Sequence, residues 1–204
     1  MRRLVLWVLL SVLCIGQVQS QLVGKKNLVT AVGIGGAWGE LRSPLRAFDA
    51  PGAYGGNFSF AFGYAFNANW GMGIRYDRLG LAESVDTMAQ ARIALLHVHG
   101  IYRPWQNDHN AIEVETGFGS SSFAFRGLNE RLPLEANSWS VNGSVRYLRK
   151  IHKSILALVA VRGHTTGRPP LVDEHAEDST LDAIPDPTVQ WRAVMVSFGL
   201  AVRW

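Results

Sequence analysis

The sequence predicts an all-β chain, an eight-stranded antiparallel up-and-down transmembrane β-barrel. Three observations carry the prediction. The C-terminal stretch Val189–Trp204 alternates: Val194, Val196, Phe198, Leu200, Val202 and Trp204 share one parity, against Ala193, Met195, Ser197, Gly199, Ala201 and Arg203 on the other. A period of two is a strand with one apolar face, and this stretch exceeds the ~9–11 tilted residues that cross a bilayer. Seven further stretches alternate in the same way. The segments between them are long and short by turns, the arrangement of outer-membrane barrels.

Met1–Ser20 reads as a secretory signal peptide: basic Arg2 and Arg3, an apolar core Leu4–Ile15, and Val18-Gln19-Ser20 as a cleavage pattern. The apolar run is too short for a membrane helix. The single cysteine, Cys14, lies inside it, behind Leu13 where a lipid-anchored signal carries a small residue. Residues 21–204 are then one barrel domain of 184 residues (204 minus 20), with no disulfides. Without Arg2 and Arg3 this domain holds 18 basic residues (20 minus 2) against 16 acidic ones. So small an excess, with no basic stripe, gives no footprint for nucleic acid.

The remaining strands follow in order. Leu28–Trp38 sets Leu28, Thr30, Val32, Ile34 and Trp38 against Val29, Ala31, Gly33, Gly35 and Ala37. Gly56–Phe66 is the clearest: Phe58, Phe60, Phe62, Tyr64 and Phe66 against Asn57, Ser59, Ala61, Gly63 and Ala65. Five aromatics on one face suit a lipid-facing strand, with small residues lining a narrow interior. Asn67-Ala68-Asn69 is a tight turn, followed by Trp70–Asp77. Ala89–Tyr102 has a weaker contrast, with Ile93, Leu95, His97 and His99 inward. Asn110–Phe123, Ser138–Leu148 and Ile155–His164 complete the set. Gly39–Gly55, Arg78–Met88, Ala124–Asn137 and Thr165–Thr188 are the long connections, while Arg103–His109 and Arg149–Ser154 are the other short ones.

The aromatics sort by end. Tyr64, Phe66, Trp70, Tyr102, Tyr147 and Trp204 lie outward near the short turns, and Trp38, Phe58, Tyr76, Phe118 and Trp139 outward near the long loops. Two such girdles mark the two interfaces of a membrane. Together with the ending Phe198-Gly199-Leu200-Ala201-Val202-Arg203-Trp204, these features make residues 21–204 resemble the small eight-stranded bacterial outer-membrane barrels of the OmpA/OmpX type. The resemblance implies an outer-membrane protein with periplasmic termini, a monomer surrounded by outer-membrane lipid and lipopolysaccharide, with no cofactor. It also implies that Phe198, Leu200, Val202 and Trp204 form the C-terminal signal read by the barrel-assembly machinery. That family usually ends in Phe, where this chain has Trp. Its members include anchors, adhesion or defence proteins, small pores and lipid A-modifying enzymes.

The inward parity gathers Arg75, Asp77, His97, His99, Glu113, Glu115, Arg146, Arg162, His164 and Arg203. Eight strands leave room only for side chains, so these charges are expected to pair into a network that fills the lumen. A polar path through Gly- and Ala-lined strands one and two is the competing expectation. His97 and His99 share a face as a metal pair would, yet no third ligand has a recognisable spacing. His164-Thr165-Thr166 is compared with the His-x-Ser of lipid A deacylase barrels, but threonine stands for serine and His164 has the inward parity. Arg92 and Arg192 break the outward apolar face near the long loops, at a height suited to lipopolysaccharide phosphates. The last loop collects Asp173, Glu174, Glu177, Asp178, Asp182 and Asp186 without a calcium-loop spacing. The expected function is non-enzymatic: a filled barrel with surface loops for envelope integrity or interaction with a partner the sequence does not name. The alternatives are a narrow pore or carrier, and a lipid A-modifying acyl hydrolase.

Overall fold

The computed structural model describes residues 28–42, 50–82, 90–126, 134–170, 172–173 and 188–204. The expected signal peptide and most of the acidic last loop lie outside these. Eight long strands form the barrel: β1 (Leu28–Arg42), β2 (Ala50–Ala65), β3 (Trp70–Ala82), β4 (Gln90–Gln106), β5 (Asn110–Arg126), β6 (Leu134–Lys150), β7 (Ile155–Thr166) and, after a two-residue β8 (Val172–Asp173) on the end of β6, β9 (Gln190–Arg203). Neighbours pair antiparallel, β5 joins β6, and β9 joins β1, so the sheet closes. Following paired residues once around gives Met72, Gly100, Thr116, Gly143, Gly163, Val194, Trp38, Tyr54 and Ala82. The path returns to β3 ten residues further on, from 72 to 82. Such a stagger tilts the strands by about 35–45° to the barrel axis.

Every strand keeps the expected parity. Phe58, Phe60, Phe62 and Tyr64 are exposed, and Asn57, Ser59, Ala61 and Gly63 face in. The aromatics of both girdles lie outward, joined by Tyr54 and Trp105. So large a continuous apolar surface is untenable in water and demands lipid. Trp70 and Tyr102 pack with ring centroids 4.6 Å apart, and Trp204 Nε1 donates to Thr30 Oγ1 at 3.2 Å across the β9–β1 closure.

Two short turns use one device. Asn67 Oδ1 accepts from the backbone N–H of Asn69 and Trp70, at 2.9 and 2.8 Å. Asn107 Oδ1 accepts from His109 and Asn110 at the same distances. An asparagine side chain that mimics a backbone acceptor lets the chain reverse in few residues.

Strands run further than the alternation alone suggests. Gly39–Arg42, Ala50–Gly55, Arg78–Ala82, Arg103–Gln106, Ala124–Arg126, Leu134–Asn137, Arg149–Lys150 and Thr165–Thr166 are strand, where composition reads as loop or turn. Ladder hydrogen bonds continue past the apolar band, while outward positions there no longer need apolar residues. The hydropathy signal therefore stops before the strand does. At Arg103–Pro104 the register shifts between Tyr102 and Trp105, so a bulge takes up the proline that has no N–H to give.

Glycines divide into two kinds. A Cβ at Gly35 would meet the carbonyl oxygen of Val196, one at Gly119 that of Leu96, and one at Gly199 that of Val32. Outward Gly100 and Gly163 would meet nothing within 4 Å. Gly35→Ala should lower barrel stability by about 1–3 kcal/mol through overpacking, whereas Gly100→Ala should be neutral or stabilise by up to about 1 kcal/mol. Urea unfolding followed by heat-modifiable gel migration checks both; equal behaviour would contradict the close strand approach.

Candidate functional site

The lumen is filled in three layers. At the long-loop end Leu79, Ile93, Leu95, Phe123, Val189, Trp191 and Met195 form an apolar cluster. Trp191 is fully buried and stacks on Phe123 with centroids 5.3 Å apart. Its backbone N–H bonds Thr166 Oγ1 at 3.2 Å, which fixes the start of β9 against the end of β7. Near the short turns Leu148, Leu156 and Leu158 pack with Ala31, Ala61, Ala111, Ala160 and Ala201. Between them lies the polar layer.

Its spine is a chain of alternating charges. Arg75 binds Glu115, Glu115 binds Arg146, Arg146 binds Glu113, and Glu113 accepts from Arg103 Nε at 2.6 Å. Ser144 Oγ donates to Glu115 at 2.6 Å. A separate pair joins Arg162 Nη1 to Asp77 at 2.7 Å, and Arg162 Nη2 also reaches Ser59 Oγ at 3.2 Å. Every member is buried. Every pair except Arg146–Glu115 is hydrogen-bonded as well as charged, and pairing matters because a lone buried ion costs several kcal/mol.

Of the ten predicted lumen residues, Arg75, Asp77, Glu113, Glu115, Arg146 and Arg162 are ion-paired, and Arg203 is buried facing inward. His99 Nε2 stands 3.6 Å from Glu115 Oε1. His97 and His164 share the lumen but not the ion network. His97 Nε2 is 2.6 Å from Ser140 Oγ, and neither ring nitrogen of His164 has a protein hydrogen-bond partner. Among the described residues no three ligating side chains are grouped as a metal site would require. His164 is only 5% exposed and faces inward, with Thr166 Oγ1 taken by Trp191, so the pair lies on the wrong side of the sheet to reach a lipid ester.

The polar path expected along strands one and two would run past Gly33 and Gly35. Ser59 Oγ lies over Gly33, reaching its carbonyl oxygen at 3.4 Å, and the backbone of the paired strand crowds Gly35. Sequence reasoning missed Arg103, assigned to a turn, although the inward parity of His97 and His99 runs on to it. It missed the apolar plug as a unit, because Leu79 and Trp191 lay beyond the clearest alternation. It also missed Arg78, which faces outward and is exposed. Arg92 and Arg192 are outward and exposed as expected. Arg92 pairs with Gly80, beside Arg78, and Arg192 pairs with Glu40. Phe198, Leu200 and Trp204 are exposed on the outer face, and Val202 is half-buried.

No protein-family model matches the chain, and no curated protein does. Solved structures do. Neisserial surface protein A aligns with TM-score 0.61 at 12% identity, over 86% of this chain and 97% of that one. A major outer-membrane protein of Thermus thermophilus gives 0.54 at 12%, over 87% and 99%. OprG of Pseudomonas aeruginosa gives 0.52 at 14%, over 91% and 99%. The fold is that of the small eight-stranded outer-membrane barrels.

Removing one partner from the Arg162–Asp77 pair should be severe and removing both mild. Arg162→Leu alone should cost about 3–5 kcal/mol, and Asp77→Asn with Arg162→Leu distinctly less. Urea unfolding in lipid or detergent measures both; a double variant as unstable as the single would show that the pair is not isolated.

Proposed function

We propose that the chain is a non-enzymatic outer-membrane barrel with a closed lumen, acting through its outer face and its long loops in envelope integrity or surface interaction. One observation carries this reading: the interior is occupied from the Trp191–Phe123 plug, through the ion chain, to Leu148, Leu156 and Leu158. An interior so filled favours interaction through the exterior.

On this reading residues 1–20 are cleaved on export, both termini are periplasmic, and the protein is a monomer. Phe198, Leu200, Val202 and Trp204 serve the barrel-assembly machinery during insertion. Arg92 and Arg192, with Arg78, stand at the headgroup level of the outer leaflet and contact lipopolysaccharide phosphates. An arginine facing hydrocarbon costs ~2–4 kcal/mol at the midplane but ~0–1 kcal/mol near the interface, which favours this height.

The purified protein should give no stable conductance steps in a planar bilayer, while migrating as a heat-modifiable species from the outer-membrane fraction. Steps that disappear when Ala37 is replaced by Trp would favour a pore instead. A changed lipid A acyl pattern in cells carrying the protein would favour the hydrolase.

A further inference from the structure

The lipid-facing surface is not uniformly covered. On β6 and β7, Gly143 and Gly163 lie directly opposite each other, both outward and exposed. In β9 the next position on this row is Val194, and in β1 it is Trp38. One step nearer the long loops the row reads Val141, Thr165, Arg192 and Glu40. These side chains bound a groove of about 430 Å³, a volume usual for small-molecule sites.

The fold does not require glycine here. A Cβ at Gly163 meets nothing within 4 Å, and one at Gly143 only the carbonyl oxygen of Glu115 at 4.0 Å. Glycine weakens a strand interior by about 0.5–1 kcal/mol relative to alanine, and it leaves lipid-facing area uncovered. What the two glycines provide is the groove. Its walls are apolar, from Val141, Val194 and Trp38. Its upper rim is charged. Glu40 is engaged by Arg42 at 2.6 Å, whereas Arg192 has no ion-pair partner among the described residues. Thr165 stands beside Arg192. An apolar trough under an unpaired guanidinium complements an acyl chain joined to a phosphate.

We infer that this groove is a lipid site for lipid A, one acyl chain lying over Gly143 and Gly163 and one phosphate on Arg192. The inference rests on the proposed outer-membrane placement, which puts the groove in the outer leaflet, where that phosphoglycolipid is the anionic lipid. Thr165 is positioned to add a hydroxyl donor, and Trp38 closes one side of the trough.

The test counts lipid retained by the folded, detergent-purified mature protein in native mass spectrometry. The probes are hexa-acylated diphosphoryl lipid A and, separately, phosphatidylglycerol. One lipid A should be retained per chain. Arg192→Gln should weaken retention about tenfold, as the loss of a hydrogen bond to a charged group does. The double variant Gly143→Leu, Gly163→Leu should do the same by filling the trough, and Gly100→Leu, the same replacement elsewhere on the outer face, should leave retention unchanged. Should the double variant fail to fold on a heat-modifiable gel, Trp38→Ala replaces it, with the same loss expected. Retention indifferent to Arg192 and to the trough would overturn the site. Phosphatidylglycerol held as tightly, and lost in the same variants, would overturn the choice of lipid A. Recovery of the protein outside the outer-membrane fraction would instead sink the placement on which the inference rests, a separate result.

Discussion

Backbone closure is the constraint from which the other features follow. In hydrocarbon an unpaired N–H or C=O has no water to bond, and each costs several kcal/mol. The β9–β1 ladder, running from Val29 with Arg203 to Arg42 with Gln190, removes the last free edges. Once eight strands close with a stagger of ten, the diameter is set, and with it the space that inward side chains must fill. Gly35, Gly119 and Gly199 belong to the same constraint. They let adjacent backbones approach where any side chain would collide with a carbonyl of the neighbouring strand.

A lumen of fixed width could be filled with apolar residues throughout. This one places arginines and carboxylates in its middle and seals both sides with hydrophobic clusters. Alternation of sign along Arg75, Glu115, Arg146, Glu113 and Arg103 means that each interior member touches two opposite charges. The layer therefore joins β3, β4, β5 and β6 across the lumen by directional contacts, where greasy packing would hold them with less specificity. Burial between two apolar layers strengthens those contacts.

Outside, the logic inverts. Lipid tolerates bulk, so aromatic and branched residues dominate, and small outward residues become informative. Gly143 and Gly163 face a solvent that would favour valine or phenylalanine in their place. The arginines are informative for the same reason. Arg78, Arg92 and Arg192 all lie at the long-loop end, and the outward positions between the two aromatic girdles carry no charge.

Periodicity in the sequence determined the eight strands, their facing and the two girdles, because each depends on one residue and its immediate neighbours. Phe58 to Phe66 reads as lipid-facing with no knowledge of its partners. Inward orientation of the charges was legible for the same reason. What tertiary structure decided is everything that depends on which strands adjoin and how far they are staggered. Arg75 meets Glu115 forty positions away, and Arg162 meets Asp77 at eighty-five, separations no local pattern encodes. Arg103 joins the ion chain because β4 continues beyond the apolar band with its inward parity intact, where composition alone suggests a turn. The Trp191–Phe123 plug and the groove over Gly143 and Gly163 likewise exist only after closure, when positions remote in the chain are brought to one level by a register that hydropathy does not specify.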